Sequence, residues 1–200
     1  MSVLQLSTAP GQPSGLISRL ASYLIPGQQQ QLSHWTVEQL NIQPYQHLLE
    51  VAYGSGNTLQ EVARRLKVGF LAGIDDSISL YRQAYRKNLR AIKEQLMQLH
   101  FGSLHELSYP PHYFHTIYGS NVHFRWEDPQ REFIRLANLL KSGGRLVMVF
   151  QSPGAGKIKD TRDAVEKIEE DYLAAGLTDI RMRYLDGGPG SCVAASAYKM

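Results

Sequence analysis

The stretch LLEVAYGSGNTLQEVARRL, residues Leu48 to Leu66, decides the fold. Its first residues indicate the end of a buried strand, and the chain then turns through Gly54 and Gly56 into an amphipathic helix. Glycine suits a backbone that approaches a ligand closely, because it has no Cβ and readily adopts positive φ. Thr58 and Glu61 have capping-box spacing, so we expect the helix to begin there. Its first amide groups would then face the turn and hold an anionic or polar ligand group.

A second apolar stretch, VGFLAGIDDS, predicts another strand, which ends in Asp75 and Asp76. In nucleotide-binding α/β folds an acidic side chain at this place, about 20 residues beyond the glycines, accepts hydrogen bonds from ribose hydroxyls. A cofactor that contains a nucleoside is therefore expected. NAD is disfavoured, because Leu59 stands where the third glycine of a dinucleotide fingerprint would be.

These two elements resemble the first motifs of class I S-adenosylmethionine-dependent methyltransferases. The run EVAYGSG, residues 50–56, is similar to their E/D-x-G-x-G-x-G motif and departs from it at Ala52. The resemblance implies that S-adenosylmethionine is the cofactor. It also implies cofactor contacts for the residues of both motifs, which are Glu50, Ala52, Tyr53, Gly54, Ser55, Gly56, Asp75 and Asp76. Asp75 is expected to hold the ribose diol, since it directly follows the strand residue Ile74 and Ser77 then caps the next helix.

A third strand, predicted from Met97 to Phe101, leads into Ser103 and Leu104. The family often has an aspartate at the position of Ser103, where it contacts the adenine amino group. Serine lacks the charge, so the resemblance assigns much of the adenine contact to Leu104 and nearby backbone groups.

The segment YFHTIYGS, residues 113–120, resembles the family's fourth strand. His115 replaces an aspartate that normally introduces this strand, and we interpret it as a surface turn residue. Open α/β sheets bind ligands beyond the carboxyl ends of their strands. Ser120 and Asn121 are therefore expected to touch the methionine part of the cofactor.

The loop from Asn121 to Glu127 is dense in polar and aromatic groups. His123 is its candidate general base, because an imidazole titrates near neutral pH. The alternative is that His123 only packs or hydrogen-bonds within the loop. Methyl transfer from a sulfonium needs a base only when the nucleophile must lose a proton.

The remaining elements follow from turn and capping signals. Asp128-Pro129 predicts the start of a helix that ends at Gly143-Gly144, before a strand from Arg145 to Phe150. This run is similar to the family's fifth strand. A charged helix and two strands, near residues 178–185 and 192–199, are expected to complete the chain, with the strands pairing as an antiparallel hairpin at one edge.

The predicted fold class is α/β. We expect a doubly wound, mostly parallel seven-stranded sheet with an antiparallel last strand. Residues 1–44 are expected to form a tail and helices that cover the cofactor cleft, and residues 45–200 a Rossmann-like methyltransferase domain. No inserted substrate domain is evident, so the acceptor site is expected between the N-terminal helices and the loop after the fourth strand.

The composition of the chain argues against several classes of site and partner. The chain has 200 residues, a net charge of +3 and one cysteine, Cys192, so neither an internal disulfide nor a structural zinc site is expected. The sequence has no apolar run near the ~20 residues that span a bilayer and no signal peptide, which predicts a cytoplasmic protein. The arginine stripe Arg82, Arg86 and Arg90 is interpreted as solvated helix surface rather than a nucleic-acid site.

The predicted function is methyl transfer from S-adenosylmethionine to a small-molecule acceptor. We expect no nucleic-acid or membrane partner, and a homodimer is left open. The alternative is a non-catalytic cofactor-binding or partner subunit in which Ala52, Ser103 and His115 have drifted. An aminopropyl transferase that uses a decarboxylated form of the cofactor is a weaker rival.

Overall fold

The computed structural model describes residues 26–151, 158–185 and 192–200. The helices are α1 (Pro26–Leu40), α2 (Asn57–Arg65), α3 (Ile78–Lys87), α4 (Leu89–Lys93), α5 (Pro129–Leu139) and α6 (Ile158–Ala174). The strands are β1 (His47–Val51), β2 (Phe70–Asp75), β3 (Met97–Phe101), β4 (Phe114–Ser120), β5 (Leu140–Gln151), β6 (Leu177–Leu185) and β7 (Cys192–Lys199). The part of the predicted N-terminal cover before residue 26, and the turn that joins β6 to β7, lie outside the described residues.

The seven strands form one sheet in the order β3-β2-β1-β4-β5-β7-β6. Strands β1 to β5 run parallel, whereas β7 is antiparallel to both of its neighbours. The predicted fold class and the final hairpin at one edge are therefore confirmed. β6 forms that edge, because β7 inserts between it and β5.

Both faces of the sheet are covered by helices. Leu48, Leu71 and Tyr118 face a core shared with α1, α2 and α3. Leu49 and Ile117 face a second core, shared with α5 and α6. A parallel sheet that is buried on both faces needs nearly continuous apolar strands, which is the pattern that the sequence shows.

Two predicted helix starts are confirmed and one is wrong. The Ser77 hydroxyl accepts from the amide of Leu80 at 3.4 Å, and the Asp128 carboxylate accepts from the amide of Arg131 at 3.1 Å. The capping box expected at Thr58 is absent, because α2 already begins at Asn57 with Gly56 as a cap residue that has no side chain to offer. The Thr58 hydroxyl instead donates to Ser33 Oγ at 3.1 Å, across to α1.

The predicted start of β5 is also wrong. α5 ends at Leu139, and β5 begins at Leu140 rather than at Arg145. Leu140 pairs with Phe114, whereas Arg145 pairs with Thr116, so extra residues are accommodated within the strand. Gly143 allows this with a φ of 72°. The double glycine is thus an irregularity of β5 and not a helix terminus.

Helix α1 lies on one face of the sheet, over β4 and β5. The Thr36 hydroxyl lies 3.5 Å from that of Ser120, at the carboxyl end of β4. At the other end of the helix, the Arg145 guanidinium donates to the carbonyl of Gln39 at 2.9 Å and to that of Leu40. Of the helices in the described ranges, none is long and apolar enough to cross a membrane.

Candidate functional site

The carboxyl ends of β1, β2 and β4 lie side by side at one edge of the sheet, with β1 in the middle. The glycine turn follows β1, Asp76 follows β2, and the loop from Asn121 follows β4. This arrangement brings the two predicted motifs to the place where open α/β sheets bind their ligands.

The glycine turn contains three left-handed residues: Ala52, Gly54 and Gly56, with φ values of 56°, 57° and 77°. Gly54 and Gly56 serve different purposes. A Cβ on Gly54 would meet no atom within 4 Å, whereas a Cβ on Gly56 would lie 2.8 Å from both Ala84 Cβ and Asn88 Nδ2. Gly54 therefore borders open space that a ligand can enter, and Gly56 lets α3 pack against the turn.

Asp75 is the carboxylate that is tied to this turn. Its Oδ2 accepts from the amide of Gly54 and its Oδ1 from the amide of Ser77, each at 2.9 Å. The residue is only 4% exposed. Burial raises the pKa of Asp75, and the two backbone hydrogen bonds oppose that rise. A carboxylate offers about four acceptor positions, so the two that remain can receive a vicinal diol.

Asp76 has a different environment from Asp75. Its side chain is 65% exposed and forms an ion pair with Arg125, with 3.3 Å between Oδ1 and Nη2. The structure thus separates the two neighbouring aspartates that the sequence presents together. Asp75 belongs to the wall of the site, and Asp76 lies at its mouth.

Glu50 lies beneath the turn, 3% exposed, and accepts a hydrogen bond from the Tyr118 hydroxyl at 3.0 Å. Burial, with a smaller contribution from nearby Asp75, raises the pKa of Glu50 to about 8, and the hydrogen bond from Tyr118 opposes that rise. Burial and Glu50 together raise the pKa of Tyr118. Glu50 is therefore a neutral acid at pH 7 that a nearby cationic ligand would ionise.

At the β3 end of the site, Ser103 and Leu104 open a single 3₁₀ turn. The amide and the hydroxyl of Ser103 both donate to Glu106 Oε2, at 2.6 and 3.2 Å. The Leu104 side chain packs into the core. The Ser103 hydroxyl therefore already has a hydrogen-bond partner. Ser103 and Glu106 form a capping box, and their three-residue spacing in the sequence is typical of one.

The loop after β4 starts with Asn121, which has a left-handed φ of 53° and donates its amide to the Val149 carbonyl at 2.8 Å. Ser120 contacts Thr36 of α1, as described above. The structure therefore places both residues at the cleft, next to the helix that covers it. Thr36 and Ser33 were missed by the sequence reasoning, because α1 carries no motif.

His123 is buried in the same loop and is 6% exposed. Its ring lies 3.8 Å from that of Phe124 and 5.1 Å from that of Phe150, centroid to centroid. Neither ring nitrogen has a hydrogen-bond partner within the described part of the chain. Burial lowers the pKa of His123 to about 4, so the ring is neutral at pH 7.

His115 was interpreted as a surface turn residue, and this is wrong. It is a residue of β4, and its Nδ1 accepts from the amide of His47 in β1 at 2.9 Å. It lies near the amino end of β4, whereas the cleft lies at the carboxyl end, beyond Ser120. The departure from the family pattern at this position is therefore remote from the cofactor site.

Residues 48–144 match the model of the methyltransferase domain family. The chain is 28% identical over 181 residues to the uncharacterized methyltransferase YdaC of Bacillus subtilis (strain 168), covering 90% of this chain and 98% of YdaC.

Solved structures share the fold. An S-adenosylmethionine-dependent methyltransferase from Aquifex aeolicus has a TM-score of 0.71 at 15% identity, covering 92% of this chain and 98% of its own. A phosphoethanolamine N-methyltransferase of Haemonchus contortus, in complex with S-adenosylmethionine, has a TM-score of 0.68 at 13% identity, covering 84% and 52%. The matched domain model and the shared fold confirm the resemblance to class I S-adenosylmethionine-dependent methyltransferases.

Proposed function

We propose that this protein binds S-adenosylmethionine and transfers its methyl group to a small-molecule acceptor. The observation that carries the proposal is the hydrogen bond from the Gly54 amide to Asp75 Oδ2, at 2.9 Å. It joins the turn that borders open space to the acid that can accept a ribose diol. A cofactor with a nucleoside and a short polar chain fits across these two groups.

The residues present suit this cofactor. When bound, it supplies a methyl group on a positively charged sulfonium, which an acceptor lone pair can attack directly. Asp75 would accept from the ribose hydroxyls, and Leu104 with nearby backbone groups would border the adenine. Glu50 lies below the turn, where its ionised form would favour a cationic ammonium group.

Ser120 and Asn121 are expected to border the methionine end, because β4 ends beside β1 at the same edge of the sheet. Helix α1 and the loop after β4 close the other side. The protein's main task is then to align the acceptor and to exclude water. A small molecule suits this space, since the described residues contain no inserted substrate domain.

His123 is the histidine of the loop after β4, and we infer that it packs against its neighbours rather than acting as a base. With a pKa of about 4 and both nitrogens buried, it cannot take a proton from an acceptor unless the loop opens. The burial of this residue also favours the second candidate function, a non-catalytic cofactor-binding or partner subunit.

Calorimetry with S-adenosylmethionine, its demethylated product and NAD tests the proposal. We expect S-adenosylmethionine and its demethylated product to bind, and NAD to bind at least about tenfold more weakly. Tight binding of NAD alone would refute the cofactor assignment. If the cofactor binds but a broad screen of hydroxyl, amine and thiol acceptors yields no demethylated product, the non-catalytic function is supported instead.

A further inference from the structure

An ion pair crosses the mouth of the proposed cofactor site. Arg125 belongs to the 3₁₀ turn His123–Arg125 after β4, and its Nη2 lies 3.3 Å from Oδ1 of Asp76, which follows β2. Because β1 lies between β2 and β4, the pair spans the carboxyl end of β1 and the glycine turn. The guanidinium is therefore held over the space that the cofactor and the acceptor would share.

This pair is weak enough for a ligand to displace it. The side chains of Arg125 and Asp76 are 34% and 65% exposed. Exposed ion pairs contribute little to stability, because water solvates the separated charges almost as well. A ligand anion that approaches Arg125 thus has little to overcome, and the freed Asp76 remains solvated.

The charge of the site is unbalanced around this guanidinium. Asp75 and Asp76 supply two carboxylates, Glu50 is protonated at pH 7, and Arg125 is the one arginine or lysine in the loop 121–127. Arginine presents a planar fork of donors that matches carboxylate and phosphate groups. An anionic acceptor would meet its complementary charge at this residue.

The carboxylate of the cofactor is the other anion to consider. Its methionine end is expected on the β4 side of the cleft, at Ser120 and Asn121. The guanidinium of Arg125 reaches instead to the β2 side, where it lies against Asp76, next to the proposed ribose acceptor Asp75. Arg125 therefore lies away from the expected place of the cofactor's own carboxylate and is left for a second ligand.

We propose that Arg125 binds the acceptor, and that the acceptor carries a carboxylate or a phosphate group. This inference rests on the proposed methyl transfer. The anionic group is a handle and stays unchanged. The acceptor's nucleophilic O, N or S atom forms a bond to the methyl carbon with its lone pair, the sulfur–carbon bond breaks, and its electron pair remains on sulfur. A proton carried by the nucleophile leaves to water.

The first experiment compares matched acceptors. Each small carboxylate or phosphate ester is assayed beside its neutral amide or dephosphorylated analogue, with release of demethylated cofactor as the readout. We expect the anionic member of a productive pair to be preferred. In Arg125→Gln its KM should rise by about 10 to 100-fold, the loss expected for a charge-assisted hydrogen bond. Arg125→Lys should recover part of this loss.

Two variants serve as controls. Arg82→Gln removes an exposed arginine of α3 and should leave KM unchanged. Asp76→Asn removes the competing carboxylate and should lower KM for the anionic acceptor. Equal turnover of charged and neutral analogues, or an unchanged KM in Arg125→Gln, overturns the proposal and leaves the methyltransferase function intact. A matching loss of cofactor affinity in Arg125→Gln also overturns it, because Arg125 would then hold the cofactor.

A direct binding measurement covers the case in which no acceptor is found. The protein is saturated with demethylated cofactor and titrated with inorganic phosphate and with acetate. We expect at least tenfold weaker binding of these anions to Arg125→Gln than to the unaltered protein. Equal affinities overturn the proposal. Failure of the unaltered protein to bind either form of the cofactor instead refutes the proposed function itself and, with it, this inference.

Discussion

The amide of Gly54 donates to Oδ2 of Asp75 at 2.9 Å, across 21 residues of sequence. This bond couples the turn after β1 to the end of β2, so the two motifs form a single preorganised wall. The Asp75 carboxylate therefore lies next to the open space at Gly54.

Asp75 and Asp76 should differ sharply in their effect on cofactor binding. We expect Asp75→Ala to weaken S-adenosylmethionine binding by about 10 to 100-fold, because charge-assisted hydrogen bonds to the ribose would be lost. Asp76→Ala is the matched control and should change affinity by no more than a few-fold. Calorimetry measures both. A larger effect of Asp76→Ala would show that the ribose is held by the next residue.

Ala52 adopts a left-handed φ of 56°, which costs an L-residue roughly 1 to 2 kcal/mol. Ala52→Gly removes this cost. Glycine, however, loses more conformational entropy than alanine on folding, which costs about 0.5 to 1 kcal/mol. We expect a net stabilisation of a few tenths to about 1 kcal/mol, measured by urea unfolding. Ala63→Gly in the right-handed helix α2 is the control and should destabilise by about 1 kcal/mol. Destabilisation by both variants would contradict this account.

Glu50 should link cofactor binding to proton release. Its pKa is raised to about 8 in the folded protein, so it binds a proton at pH 7 that an adjacent ammonium group would expel. We expect calorimetry at pH 7, in buffers of different ionisation enthalpy, to show release of a substantial fraction of one proton. Affinity should rise with pH up to about 8. Glu50→Gln should abolish the release, and its persistence in this variant would assign the proton to another group.

Glu50 also affects stability. Between pH 4.5 and about 8 the folded chain holds a proton that the unfolded chain has lost, so this group's contribution to stability falls as pH rises through that window. Above pH 7 the His123 ring is essentially neutral in both the folded and the unfolded chain, so it adds little to the pH dependence of stability there. We therefore expect Glu50→Gln to gain stability relative to the unaltered protein as pH rises from 7 to 9.

His123 changes stability with pH in the opposite direction to Glu50. Its pKa is lowered from 6.5 to about 4, so between these values the unfolded chain binds more protons, and stability falls as pH drops below 6.5. We expect His123→Phe to remove roughly 2 to 3 kcal/mol of this acid sensitivity. Urea unfolding between pH 4 and 7 measures it.

The same substitution tests the chemical role of His123. If the ring only packs, His123→Phe should keep turnover within a few-fold, because phenylalanine fills a similar volume among Phe124 and Phe150. A general base would instead lose on the order of 100-fold in turnover with unchanged cofactor affinity. This assay needs the acceptor found in the screen described above.

The sequence by itself determined the class of the fold and predicted the place of the cofactor site. Strand β1, the glycine turn and the acid at the end of β2 are signalled within a few residues each, since apolar runs, glycine and capping side chains act locally. Ser77 and Asp128 cap their helices for the same reason. The final hairpin also follows from local pattern.

Only the tertiary structure decided how distant groups meet. Arg125 reaches Asp76, Tyr118 reaches Glu50, and Thr36 reaches Ser120, across 49, 68 and 84 residues. These contacts depend on the strand order, which puts β1 between β2 and β4, and on the packing of α1. The misplaced start of β5 and the absent cap at Thr58 have the same origin. Pairing with Phe114 and contact with Ser33 prevailed over local signals, because burial and strand pairing involve more free energy than a single cap or glycine.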